Sequence, residues 1–136
     1  MMRTGVIKYK NVIQDISIFF EKQIKIGINK GVSKSRFILD PGIGFGKAVE
    51  QNVEIIKNLS HFKKFSLAIL VGISRKSHLG TVLKKNLNLE NIPGPNERLE
   101  AGLAETAVAV LNGATIVRTH DILKTKRFLA VLDNFL

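Results

Sequence analysis

Val12, Ile16, Phe19, Phe20 and Ile24 recur at helical spacing, and Gly27 and Gly31 supply stops, so the pattern predicts a first amphipathic helix. Residues 36–39 form a short apolar run that passes into Asp40, Pro41 and Gly42, as expected of a buried strand entering a loop. Val53, Ile56, Leu59 and Phe62 then keep a helical period, and the unbroken run at residues 67–71 is closed by Gly72. A helix followed by a second buried strand is the expectation. Residues 77–96 are polar and contain Pro93, Gly94 and Pro95, the composition of a long functional loop. A third helix is expected from Glu97, with Leu99, Leu103, Ala107 and Val110 on one face and Asn112 and Gly113 as a left-handed C-terminal stop. Residues 115–117 read as a third strand. Asp121 suits the cap of a last helix that carries Leu123, Phe128, Leu129, Leu132 and Phe135.

Strands that alternate with amphipathic helices join by right-handed crossovers into a parallel sheet, so the fold class is α/β. Three strands do not close an eight-stranded barrel, which takes about 250 residues. Either the sheet is open or further strands complete it.

Composition narrows the class rather than the chemistry. With 136 residues, 45% hydrophobic and 24% charged, the chain is one globular domain in size. It has no cysteine, which removes disulfides and thiolate metal sites. No apolar stretch approaches the roughly 20 residues of a membrane-spanning helix, and residues 1–10 lack the apolar centre of a signal peptide, so a cytoplasmic protein with no membrane partner is expected. The net charge of +10 comes mostly from lysines scattered through every segment without aromatic interleaving, which suits a solvated surface and gives no reason to expect a nucleic acid partner.

In parallel α/β folds ligands meet the loops beyond the carboxyl ends of the strands. Each strand here delivers polar residues to that place. The first ends in Asp40, the second leads into Ser74, Arg75 and Lys76, and the third into Arg118, Thr119, His120 and Asp121. Taken singly each has a plainer explanation: Asp40 before Pro41 starts a turn, Asp121 caps a helix, and a lone Lys or Arg is solvated. Together they make a rim of carboxylate and cations suited to an anionic substrate with a polar heterocycle. The glycine-rich stretch from Gly42 to Lys47 fits neither phosphate-binding signature: three residues rather than four separate Gly42 from Gly46, Ala48 follows Lys47, and Lys47 stands where the last glycine of the dinucleotide pattern belongs. His61, His78 and His120 lack metal-ligand spacing, and His61 and His78 are expected at the surface.

Four stretches carry a family resemblance: Phe37-Ile38-Leu39-Asp40-Pro41-Gly42-Ile43-Gly44-Phe45-Gly46-Lys47 with Asn52, Gly72-Ile73-Ser74-Arg75-Lys76-Ser77, Glu97-Arg98-Leu99, and Arg118-Thr119-His120-Asp121. In order and spacing they resemble the motifs of the dihydropteroate synthases, and Met2-Arg3-Thr4-Gly5 resembles the loop after that family's fifth barrel strand. The resemblance implies a partial TIM (β/α)8 barrel, its last three βα units with parallel strands, and a single pterin-binding domain over residues 1–136. It further implies a transferase of folate biosynthesis that condenses 6-hydroxymethyl-7,8-dihydropterin diphosphate with p-aminobenzoate, releasing 7,8-dihydropteroate and pyrophosphate. Carried over by residue, Asp40 and Lys76 would bind the pterin, Phe45, Ser74 and Arg75 the p-aminobenzoate, and Arg118 and His120 the pyrophosphate, with no protein nucleophile.

The family's magnesium ion would be held by an Asn in the N-terminal half of the barrel, which has no counterpart here, so no metal ligand is expected in this chain. The isolated chain is therefore expected to be inactive or nearly so. Inhibition by sulfonamides, pairing with an N-terminal half and homodimers through the last helices are further implications. The alternative is a non-catalytic pterin-binding or interaction module derived from the same fold.

Overall fold

A computed structural model describes residues 9–136, so the stretch Met2 to Gly5 lies outside the described residues. Asn11 sits in extended backbone and its side-chain oxygen accepts from the Gln14 N–H at 3.0 Å, which starts α1 (Val12–Asn29). The buried stripe of α1 is Val12, Ile13, Ile16, Ser17 and Phe20. Phe19, expected on that stripe, is turned a hundred degrees away from Phe20 by the helical period and is exposed. Gly27 does not end the helix. It lies inside it and leaves room for the Phe37 ring to close on the backbone, while the stop falls at Gly31 in the left-handed region (φ +84°).

Three short strands, β1 (Ile38–Leu39), β2 (Ala68–Val71) and β3 (Ile116–Val117), pair in parallel in the order β1-β2-β3. Leu39 stands opposite Ile69, and Val71 opposite Val117. The crossover from β1 to β2 is α2 (Val49–Lys57) followed by a 3₁₀ helix (Leu59–Phe65). This departs from the single helix that the period suggested. Leu59, Phe62 and Phe65 are all buried at a spacing of three, the repeat of a 3₁₀ helix rather than an α-helix. Two helices, α3 (Ser77–Asn86) and α4 (Leu99–Leu111), carry the chain from β2 to β3, and α5 (Ile122–Leu132) follows.

Residues 77–96 are thus not one long loop: their first half is α3, which sets Leu79 into the core and shows Lys84 and Lys85 to solvent. On α4 the line facing inward is Gly102, Thr106 and Ala109, whereas Leu99, Leu103, Ala107 and Val110 are only partly buried. Small residues on the inner line let the helix approach its neighbours closely.

The core lies on one side of the sheet. Leu39, Ile69 and Val71 meet Ile16, Phe20, Ile55 and Phe62 there, with the Phe20 and Phe62 rings edge to face at 5.3 Å. On the other face Ile38 is 55% exposed, and its partner Ala68 and the pair Leu70 and Ile116 are only partly covered. Among the described residues β1 and β3 also keep one unpaired edge each.

Candidate functional site

Because the strands are parallel, the segments after β1, β2 and β3 all emerge on one rim of the sheet. The first is shaped by Asn52 on α2, whose side chain is wholly buried. Its Oδ1 accepts from the Gly44 N–H at 2.7 Å, and its Nδ2 donates to the Ala48 carbonyl at 2.8 Å. The glycine-rich stretch is therefore a folded loop with Gly42, Gly44 and Gly46 all at positive φ, a conformation open to glycine and strained for other residues. Asp40 Oδ1 accepts from the Gly42 N–H at 2.8 Å, so the carboxylate both starts the turn and stays exposed on the rim. Lys47 reaches back and donates to the Gly42 carbonyl at 2.9 Å.

Gly44 also clears space for a neighbour: a Cβ there would stand 2.8 Å from Lys76 Cδ. Lys76 crosses that gap from the β2 side and its Nζ lies 3.8 Å from the centre of the Phe45 ring, a cation–π contact between the first two loops. Burial lowers the pKa of Lys76, the neighbouring Arg118 lowers it further, and Asp40 acts in the opposite sense. Lys47 is lowered as well, again first by burial, with Asp40 opposing and Lys76 adding to the shift. Neither Lys76 nor Arg118 belongs to an ion pair among the described residues. Asp40, Lys47, Lys76 and Arg118 thus form one electrostatic group with surplus positive charge.

The second and third loops are tied to each other by two links. Ser74 Oγ accepts from the His120 backbone N–H at 3.3 Å and lies 3.1 Å from His120 Nδ1. Arg75 grips Asp121 with both ends of its guanidinium, Nε to Oδ2 at 3.2 Å and Nη2 to Oδ1 at 3.0 Å, and donates a further bond to Asn96 Oδ1 at 3.0 Å. That pairing holds the Asp121 carboxyl below its ordinary range and raises Arg75. The carboxylate of Asp121 therefore makes no cap for α5, contrary to its expected role, because the guanidinium takes it.

All seven site residues anticipated from the sequence lie on this rim, where several contact one another or neighbouring loops. Phe45 engages Lys76, Ser74 engages His120, and Arg75 is committed to Asp121 and Asn96. Asn52 was visible only as part of a motif, and Asn96 and Arg98 gave no sign of their contacts, which span loops far apart in sequence. His78, expected at the surface, is 5% exposed and its Nε2 lies 2.7 Å from Glu105 Oε2 on α4. That partner is a long-range one, and no local pattern announces it. A hollow of about 590 Å³ bordered by Asn11, Ser17, Glu54 and His61 contains none of the rim residues, whereas a small cleft of about 10 Å³ is lined by Ser74, Arg75, Arg98 and Arg118.

The family profile described as "Pterin binding enzyme" matches residues 1–120. The dihydropteroate synthase of Escherichia coli strain K12 is 37% identical over 126 residues, which are 93% of this chain and 42% of that protein. The dihydropteroate synthase of Clostridium beijerinckii is 40% identical over 127 residues, covering 93% and 44% of the two chains. A solved dihydropteroate synthase from Xanthomonas albilineans with 4-aminobenzoic acid superposes with a TM-score of 0.87 at 27% identity, covering 96% of this chain and 47% of that one. The chain spans less than half the length of these relatives, and its three-stranded parallel sheet is part of their barrel. With a family profile matched over residues 1–120, the chain belongs to the family of pterin binding enzymes.

Proposed function

We propose that residues 1–136 are a single pterin-binding domain, the C-terminal part of a dihydropteroate synthase barrel, and that its rim binds the pterin diphosphate. The observation that carries this reading is the convergence of Asp40, Lys76 and Arg118 at the carboxyl ends of three adjacent strands, with unpaired cations beside one exposed carboxylate. An ionised Asp40 accepts paired hydrogen bonds from the amino-pyrimidine edge of the pterin, and Lys76 donates to the ring's acceptor atoms. Arg118 and His120 take the diphosphate. The amine nitrogen of p-aminobenzoate attacks the pterin methylene carbon, the carbon–oxygen bond breaks, and pyrophosphate leaves as the new carbon–nitrogen bond forms and the amine gives up a proton. Cations fixed at the leaving oxygens stabilise the charge that builds there, so no protein nucleophile is needed.

The Xanthomonas albilineans relative with 4-aminobenzoic acid supports the second substrate. Phe45 offers a ring face and Ser74 a hydroxyl for it, and sulfonamides, which resemble it, are expected to compete. Arg75 would contribute only by exchanging Asp121 for the substrate carboxylate. Among the described residues no three or more His, Asp or Glu side chains gather as a metal site; magnesium stays an implication of the family, and no step here runs through it. No helix among the described residues is long and apolar enough to cross a membrane. The exposed Ile122, Leu123, Val131 and Phe135 of α5 and the segment after it suit a homodimer contact.

Calorimetric titration with the pterin diphosphate tests the reading, using the chain together with a separately produced N-terminal half barrel. Binding that weakens in Asp40→Ala and in Lys76→Ala is expected. Binding indifferent to both substitutions would remove the pterin assignment, and binding without turnover in the complemented protein favours the non-catalytic module.

A further inference from the structure

Arg98 has no place in the chemistry above, although it lies in one of the four motif stretches. It is 9% exposed, and among the described residues no carboxylate pairs with it. Its buried charge is met by backbone instead: Nε donates to the Pro93 carbonyl at 2.9 Å, and Nη1 donates to the Arg75 carbonyl at 3.0 Å. A buried guanidinium is costly to keep unless each contact is used, so its partners mark what it is there to hold. The neighbouring helix is cut away to admit it. A Cβ on Gly80 of α3 would stand 2.8 Å from Arg98 Nε and 3.1 Å from the Pro93 carbonyl oxygen.

The second of those carbonyls sits at a sensitive point. Arg75 has φ +62°, left-handed backbone that a residue with a Cβ adopts only when its surroundings impose it. Its carbonyl belongs to the peptide that leads into Lys76. Fixing that oxygen fixes the plane of the peptide, and with it the direction in which Lys76 leaves the chain. On the other side of the turn the Lys76 N–H donates to the Ile73 carbonyl at 3.1 Å. With its oxygen and its N–H both held, that peptide aims the Lys76 side chain across Gly44 onto the Phe45 ring.

We infer that Arg98 is a positioning residue for Lys76: from behind the second loop it sets the left-handed turn at Arg75, and so places the Lys76 ammonium over Phe45 at the rim. The link from this placement to pterin binding rests on the function proposed above, but the placement itself does not. It also gives the segment before α4 a purpose, since the same guanidinium ties Pro93 to the second loop.

Proton NMR of the full chain reads the placement directly, because an ε-methylene held over an aromatic ring is shifted upfield. Phe45→Leu identifies the signal by abolishing that shift. In Arg98→Ala and in Arg98→Lys, whose single ammonium cannot span both carbonyls, the Lys76 shift is expected to collapse, while core methyl signals near Phe20 and Phe62 stay in place. Methylguanidinium added to Arg98→Ala is expected to restore it. Should the alanine variant fail to fold, the lysine variant carries the test. A Lys76 signal at its wild-type position in either folded variant overturns the inference. Titration of the parent chain, complemented with the N-terminal half barrel, with pterin diphosphate separates the two ideas: a Lys76 shift that collapses in the Arg98 variants, beside a complemented parent that ignores the pterin, leaves Arg98 in its role and removes the proposed function.

Discussion

Asn52 organises the first loop with a side chain that has no access to water. Both of its polar atoms are used, one by the Gly44 N–H and the other by the Ala48 carbonyl, so its removal strips the half-buried Gly44 N–H of this partner, while the Ala48 carbonyl keeps the Asn52 backbone N–H. Asn52→Ala is expected to cost about 1–3 kcal/mol in urea unfolding, the range for one stranded polar group. Wild-type stability in that variant would mean that the loop needs no such support. A second residue-level expectation concerns acid. The Arg75 pairing depresses the folded pKa of Asp121, so its stabilising contribution is fully present above the ordinary value of 3.8 and is lost as pH falls through the lower folded value. Melting temperatures of wild type and Asp121→Asn should therefore differ by a constant amount above that range and converge toward about pH 2. A difference that persists unchanged to the acid end would show that the carboxylate is not held by charge.

At the scale of elements, the covered and uncovered faces of the sheet make opposite predictions. Phe62 fills the 3₁₀ segment's inner face and contacts Phe20 edge to face, and Phe62→Ala is expected to cost about 3–5 kcal/mol. Ile38 points to the open face, and Ile38→Thr is expected to change stability by less than about 0.5 kcal/mol. Equal costs for the two would mean that both faces are packed. The same contrast explains what could be read from the sequence. Strands β1 and β2 were legible as short apolar runs and α1 as a periodic stripe, because their hydrophobic positions are set by the sheet and helix repeats alone. Helix α3 was not, since its inward residues number few and its exposed lysines and the following Asn-rich stretch resemble a loop. Buried His78 escaped for a related reason: its partner Glu105 comes from another helix. The rim's membership was legible because strand ends converge by topology, whereas its internal pairings depend on loop geometry that periodicity does not encode.

For the whole molecule the open face of the sheet is decisive. Among the described residues exposed Ile38 and partly covered Ala68, Leu70 and Ile116 form an apolar surface, and the two outer strands each offer an unpaired edge. Such surfaces associate, and the half of a family barrel that this chain lacks would cover both the face and the edges at once. The 136-residue chain alone is therefore expected to form no measurable dihydropteroate, and addition of an N-terminal half barrel from a matching relative is expected to bring activity back. Ile38→Lys separates this cause from simple instability. A lysine on an exposed strand position should leave the melting temperature nearly unchanged, yet it places a charge where the barrel interior would close and should block the recovery. Turnover by the chain alone, or recovery that ignores the lysine, would mean that the site works without closing the barrel over this face.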